Sequence, residues 1–326
     1  DLDTDQWVDV IKQAGLKGVI LTAKHHDGFC LWPTKTTDYN ISQSPWKDGK
    51  GDMVGELAES CRKAGLEFGI YLSPWDRNNA EYGNPEYTKI FHEQIRELVN
   101  NYGSIFEYWF DGANGGTGWY GGADEARSIN PNEYYQYEEA GKIIRENNPD
   151  VMIFGGTDGT IRWIGNESGY AGETNWSTFD STLPDFPGNE GVRDGKEWLP
   201  GETDVSVRPG WFYHHREDHQ VRSVGNLVNI YYQSVGRNST LLLNFPVALD
   251  GKIHPIDSTH VVEWRKAINN ELATDLLAKA KASASNERDG KFSASKANDG
   301  NWDSYWATED GQTTGMLSFK FSEPTM

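Results

Sequence analysis

Apolar residues recur along this chain in two alternating textures, helical stripes and short continuous runs. Trp7, Val10, Ile11 and Ala14 share one helical face, with Asp3 or Thr4 placed to cap it and Gly15 to stop it. Residues 17–23 then form a run with an apolar centre, as suits a strand buried on both faces. The same phrase returns about fifty residues later, where Ala64-Gly65-Leu66 precedes the run at 69–73. Repetition of helix, glycine stop and buried strand is the grammar of a parallel α/β sheet or barrel.

The alternation continues. Asn84-Pro85 predicts a helix start, with Phe91, Ile95, Leu98 and Val99 on its apolar face and a stop near Gly103. A strand is expected at 105–110. Asn130-Pro131 predicts another helix running through Ile143 and Ile144, followed by a strand at 151–154. Residues 157–216 are rich in Gly, Asp and Trp with weak periodicity, as expected of long loops over a site. Val224, Leu227, Val228, Tyr231 and Val235 mark a late helix ending at Gly236, and a strand is expected at 240–243.

The expected fold is α/β, a TIM-like (β/α) barrel over residues 1–270 with about six or seven of its strands. No strand precedes the Trp7 helix, so the first barrel strand is expected to lie outside this chain. After Leu276 the residues become small and lose helical repeat, and residues 271–326 are expected to open an all-β sandwich module.

Composition narrows the function. Thirty basic against 49 acidic residues give a net charge of −19, without the basic footprint that nucleic-acid binding needs. No run approaches the ~18 apolar residues of a membrane span. Thirteen Trp and fifteen Tyr in a polar chain suit stacking on sugar faces, although a Trp-rich core is the plainer reading. Cys30 and Cys61 are too few for a disulfide framework and read as packing residues.

Catalytic groups of a parallel barrel stand at the C-terminal ends of its strands. Those positions are His25-His26-Asp27, Ser73-Pro74-Trp75-Asp76, Asp111 and Asn244. Asp111 stands at the tip of an apolar strand, beside Trp109 and before the flexible Gly112. Glycoside hydrolysis needs two carboxylates, and for the second the spacing leaves Glu167 and Glu173 both open. His25-His26 invites a metal reading, but no His-x-His or Glu-x-x-His completes a ligand set, so hydrogen bonding to sugar hydroxyls is expected and no metal. No Gly-rich phosphate cradle or Gly-x-Ser-x-Gly elbow is present, and no cofactor is expected.

Residues 24–29 (Lys-His-His-Asp-Gly-Phe) with Leu31-Trp32-Pro33-Thr34, then Gly69-Ile70-Tyr71-Leu72-Ser73, then Trp109-Phe110-Asp111-Gly112 resemble glycoside hydrolase family 29, the α-L-fucosidases. The resemblance covers roughly residues 1–270. It implies Asp111 as nucleophile, with His25, His26, Trp32, Tyr71 and Trp109 holding fucose and Trp211 as a further sugar platform. Residues 162–167 (Arg-Trp-Ile-Gly-Asn-Glu) resemble the subgroup acting on α-1,3/1,4-linked, Lewis-type fucose, which implies Glu167 as acid/base and leaves Glu173 in reserve. The C-terminal stretch resembles the opening of a discoidin-like or galactose-binding-like carbohydrate module. The implied partner is a fucosylated oligosaccharide or glycoconjugate, met outside the cytoplasm, so a periplasmic or secreted location is expected. A retaining reaction would set the two carboxyl groups ~5–5.5 Å apart and ask Glu167 to sit in an apolar or negatively charged setting.

Overall fold

The computed structural model describes residues 2–183 and 188–324. The chain divides into two compact units, Asp1–Arg265 and Lys266–Met326. In the first, strands β1 (Gly18–Lys24), β2 (Glu67–Leu72), β3 (Glu107–Trp109) and β4 (Met152–Phe154) form a parallel sheet in chain order. Strands β5 (Arg162–Trp163), β6 (Gly201–Ser206) and β7 (Ser239–Asn244) form a second parallel sheet, also in chain order. A parallel bridge from Phe154 to Ile161 joins the end of β4 to the residue before β5.

The longer helices of this unit are α1 (Thr4–Gln13), α2 (Met53–Ala64), α3 (Pro85–Asn101), α4 (Tyr137–Arg145) and α5 (Val224–Ser234); α6 (Pro255–Glu271) runs across the division. Their ends follow local chemistry. Asp3 caps α1 by accepting the Gln6 N–H at 2.9 Å, and Asp52 caps α2 through Gly55 N–H at 2.9 Å. Gly65 closes α2 at φ 70, a left-handed turn that costs a glycine nothing sterically.

Two sequence expectations change. The helix expected from Asn130 to Ile144 breaks into Pro131–Tyr134 and α4, with Gln136 left-handed between them. Tyr135 and Tyr137 are both buried, and residues two apart cannot share the buried face of one continuous helix. The stretch at 157–216, expected to be loops, contains β5 and β6, while residues 184–187 of it lie outside the described residues. All six residues of β6 (Gly-Glu-Thr-Asp-Val-Ser) are buried despite their polarity, so apolar pattern could not reveal this strand.

In the second unit Lys281–Ala284 pairs antiparallel with Leu317–Lys320, and two 3₁₀ turns, Gly290–Phe292 and Ala294–Ala297, lie between them in the chain.

Candidate active site

Three aromatic rings line up across the first sheet because strand register places them side by side, and a fourth, His25, joins them from just past β1. Tyr71 pairs with Trp109, and Trp109 with Phe154. Tyr71 and Trp109 stack at 5.2 Å, Trp109 and Phe154 at 4.1 Å, and His25 stacks on the other side of Tyr71 at 5.8 Å. Side chains alternate along β3, so Glu107, Trp109 and Asp111 point one way and Tyr108 and Phe110 the other.

Asp111 stands just past β3 at the edge of this stack, with its side chain 25% exposed. Its Oδ2 accepts the Tyr71 hydroxyl at 2.8 Å and its Oδ1 accepts the Ala113 N–H at 2.7 Å. Two donors from opposite sides fix the plane of the carboxylate. Burial, together with the Asp111 charge and this hydrogen bond, pushes the Tyr71 hydroxyl far above its ordinary value, so it remains a donor at any working pH.

His25 and His26 follow the last residue of β1, where strand alternation has ended. His26 Nε2 lies 3.7 Å from Asp111 Oδ2, and His26 Nδ1 is 2.7 Å from Ser73 Oγ. The Ser73 hydroxyl gives its own proton to the Trp75 carbonyl at 2.7 Å. It must therefore accept from Nδ1–H, which assigns the tautomer and leaves Nε2 bare in the neutral ring. Burial, helped for His26 by its neighbour His25, lowers both imidazoles below the usual histidine value.

Among the residues expected at the site, the structure brings His25, His26, Tyr71 and Trp109 to Asp111. Trp32 is elsewhere: it is 1% exposed, and its indole donates to Glu97 of α3 at 2.9 Å. Its large ring and apolar flanks fill core rather than line the site. Trp211 is partly exposed with its carbonyl held by the Asn244 amide at 3.1 Å, while the next residue, Phe212, sets its edge on His25 at 5.2 Å. Phe212 was missed because the sequence offered several aromatics in one loop with nothing to rank them.

A second group of acids was also missed. β6 carries Glu202 and Asp204 on the face that meets Trp109 and Trp163. Glu202 Oε1 accepts the Trp109 indole N–H at 3.0 Å, and Asp204 Oδ1 accepts that of Trp163 at 2.7 Å. Burial and then the charge of Glu202 push the Glu107 carboxyl far up, and burial raises Glu202 as well. One oxygen of Glu107 has no hydrogen-bond partner among the described residues. Asp204 is pushed up to about 6 by burial first, then by the charges of Glu167 and Asp111, against the opposing bond from Trp163.

Asp204 thus feels the charges of both Asp111 and Glu167. Glu167 itself is exposed in the loop after β5, rather than set in apolar surroundings. Gly165 and Gly169, both at positive φ, give that loop its turns. Beside it opens a cavity of about 990 Å³, with Phe154, Trp163, Asn166 and Trp198 among its walls. Glu173 is also exposed and lies beyond this turn.

A carboxylate held by the Tyr71 hydroxyl and a backbone amide stands beside a neutral His pair, walled by stacked aromatics at the ends of parallel strands of an α/β fold. Residues 1–267 match the family model described as α-L-fucosidase, and the chain belongs to that family. It is 38% identical to "Alpha-L-fucosidase 1" of Arabidopsis thaliana over 99% of this chain and 63% of the relative. It is 37% identical to "Putative alpha-L-fucosidase 1" of Oryza sativa subsp. japonica over 99% and 62%. The chain therefore spans less than two thirds of the length of these relatives. A solved putative α-L-fucosidase from Bacteroides thetaiotaomicron is 42% identical, with a TM-score of 0.89 over 99% of this chain and 70% of that one.

Proposed function

We propose that the protein carrying this chain is a retaining α-L-fucosidase in which Asp111 is the nucleophile and Glu167 the acid/base. The observation that carries the reading is the Asp111 carboxylate, fixed by Tyr71 and the Ala113 amide with one edge open beside His26. Bare Nε2 and carboxylate Oδ2 are two acceptors 3.7 Å apart. Such a pair is best satisfied by a donor between them, and a sugar hydroxyl supplies one.

In the first step an Asp111 oxygen bonds to the anomeric carbon of fucose while the glycosidic C–O bond breaks. Glu167 gives its proton to the departing oxygen. In the second, the ionised Glu167 takes a proton from water, whose oxygen displaces Asp111 and releases fucose with its configuration kept. The stretch from Arg162 to Glu167 supports α-1,3/1,4-linked, Lewis-type fucose as substrate. Glu173 is the reserve for Glu167, and loss of turnover in Glu173→Gln but not Glu167→Gln would transfer the role.

The two parallel sheets are read as parts of one (β/α) barrel, supported by their common chain order and the bridge between them. The second unit is read as the opening of a carbohydrate-binding β-sandwich module. Its exposed Trp302 and Tyr305 support that reading, and weaker retention of Trp302→Ala on an immobilised glycan checks it. A periplasmic or secreted location follows from where fucosylated glycans are met, and cell fractionation tests it.

The enzymatic test is hydrolysis of an aryl α-L-fucoside against an aryl β-galactoside, with the first-formed anomer followed by NMR. Selective release of α-fucose is expected. Release of β-fucose would exclude a retaining reaction, and preference for the galactoside would exclude the fucosidase reading.

A further inference from the structure

The Asp111 carboxylate is held by residues of the first sheet, yet the chain of contacts behind it starts on the second. Glu202 lies in β6, the middle strand of its sheet, between Trp163 of β5 and Thr240 of β7. It is 1% exposed, and its Oε1 accepts the Trp109 indole N–H at 3.0 Å. Burying a carboxylate costs stability that a Val or Ile at the same position would not. An acid in the middle of a sheet therefore calls for a role other than packing.

The contacts that follow run from ring to ring. Trp109 is covered on one side by Tyr71 at 5.2 Å and on the other by Phe154 at 4.1 Å. Ile161 and the partly buried Leu242 pack against the same group. Stacking of this kind resists tilting of the indole more than sliding in its own plane. A hydrogen bond is directional, and the one to Glu202 at the edge of the ring stops that slide. Tyr71 in turn lies between Trp109 and His25, and its hydroxyl donates to Asp111 Oδ2 at 2.8 Å. Burial and the charge of Glu202 raise the Glu107 carboxyl furthest, while the Trp109 bond opposes the rise that burial causes at Glu202. The pair thus keeps its proton on Glu107 and its negative charge on Glu202, where the indole N–H is.

Resting on the fucosidase reading, we propose that Glu202 is a positioning residue for the reaction: by fixing the Trp109 indole it sets the Tyr71 ring, and so the hydroxyl that aims Asp111. It acts from the opposite sheet, through two rings, without touching substrate.

The test is a double-mutant cycle of Glu202→Leu with Tyr71→Phe in the whole protein, on an aryl α-L-fucoside. Glu202→Leu should lower kcat about tenfold with KM nearly unchanged, since a nucleophile out of line costs rate rather than binding. Glu202→Gln, which keeps an oxygen for the indole, should restore most of that loss. In the Tyr71→Phe background no hydroxyl remains to be aimed, and Glu202→Leu should cost less than about twofold. Should Glu202→Leu fail to fold, Trp109→Phe keeps a ring in the stack without the N–H and takes the same place in the cycle. An unchanged kcat, or equal losses in the two backgrounds, would overturn the role of Glu202 alone. No hydrolysis of the fucoside by the unmutated protein would overturn the fucosidase reading and this inference with it.

Discussion

The Trp163 indole donates to Asp204 Oδ1 at 2.7 Å and so ties the strand that leads to Glu167 to the buried acid on the next strand. Asp204 is pushed up to about 6, with burial the largest cause. Below that pH it takes up a proton and its bond from Trp163 weakens. A titration near pH 6 is therefore expected on the acid side of the kcat/KM profile. Asp204→Asn keeps an acceptor for Trp163 without the charge, and should remove that titration while leaving turnover at neutral pH measurable. A profile that keeps the same acid limb in Asp204→Asn would show that Asp204 has no part in it.

Tyr71 holds Asp111 through one hydroxyl. A hydrogen bond to a charged group is worth about 1.5–3 kcal/mol, so Tyr71→Phe should lower kcat/KM by about 10- to 100-fold. The ring stack with Trp109 and His25 is retained in Phe, so circular dichroism and the melting temperature should change little. A full-rate Tyr71→Phe enzyme would contradict the geometry at Asp111.

Much of this site was legible because strand ends announce themselves: an apolar run followed by His25-His26, by Ser73, or by Asp111-Gly112 marks where side chains leave the sheet. Glu202 and Asp204 were not legible. They lie in a strand whose inner face is built from acids rather than Val or Ile, so the signal that finds buried strands was absent. Trp32 shows the reverse limit. A Trp beside a functional motif gives no sign whether its ring faces sugar or core, and here Glu97 takes its N–H.

Buried Glu107 makes stability depend on pH. Its folded carboxyl is raised above the unfolded value, so the folded state binds more protons than the unfolded chain once pH exceeds about 4.5. Its contribution is complete below that pH and is lost as pH climbs toward the raised folded value. Melting temperature should therefore decline from pH 5 toward pH 9 by more in the native protein than in Glu107→Gln. Parallel curves for the two would show that Glu107 is not held in its neutral form.

The loop carrying Phe212 is anchored by Arg208, which donates to both Asp257 oxygens at 2.8 Å with both side chains fully buried. Removing one partner leaves a buried charge alone, so Arg208→Met should destabilise by about 3–5 kcal/mol. Arg208→Met combined with Asp257→Leu should recover much of that loss. Urea midpoints of the two variants check this, and a double variant no better than the single would mean that packing, not the orphaned carboxylate, sets the cost.

Azide rescue of Asp111→Ala with an activated aryl α-L-fucoside in the whole protein tests Asp111 as the nucleophile. With the carboxylate gone, azide can enter from the face that Asp111 held. Turnover should be negligible alone, be restored by azide, and yield β-L-fucosyl azide. Unimpaired hydrolysis by Asp111→Ala would contradict the assignment of Asp111 as nucleophile.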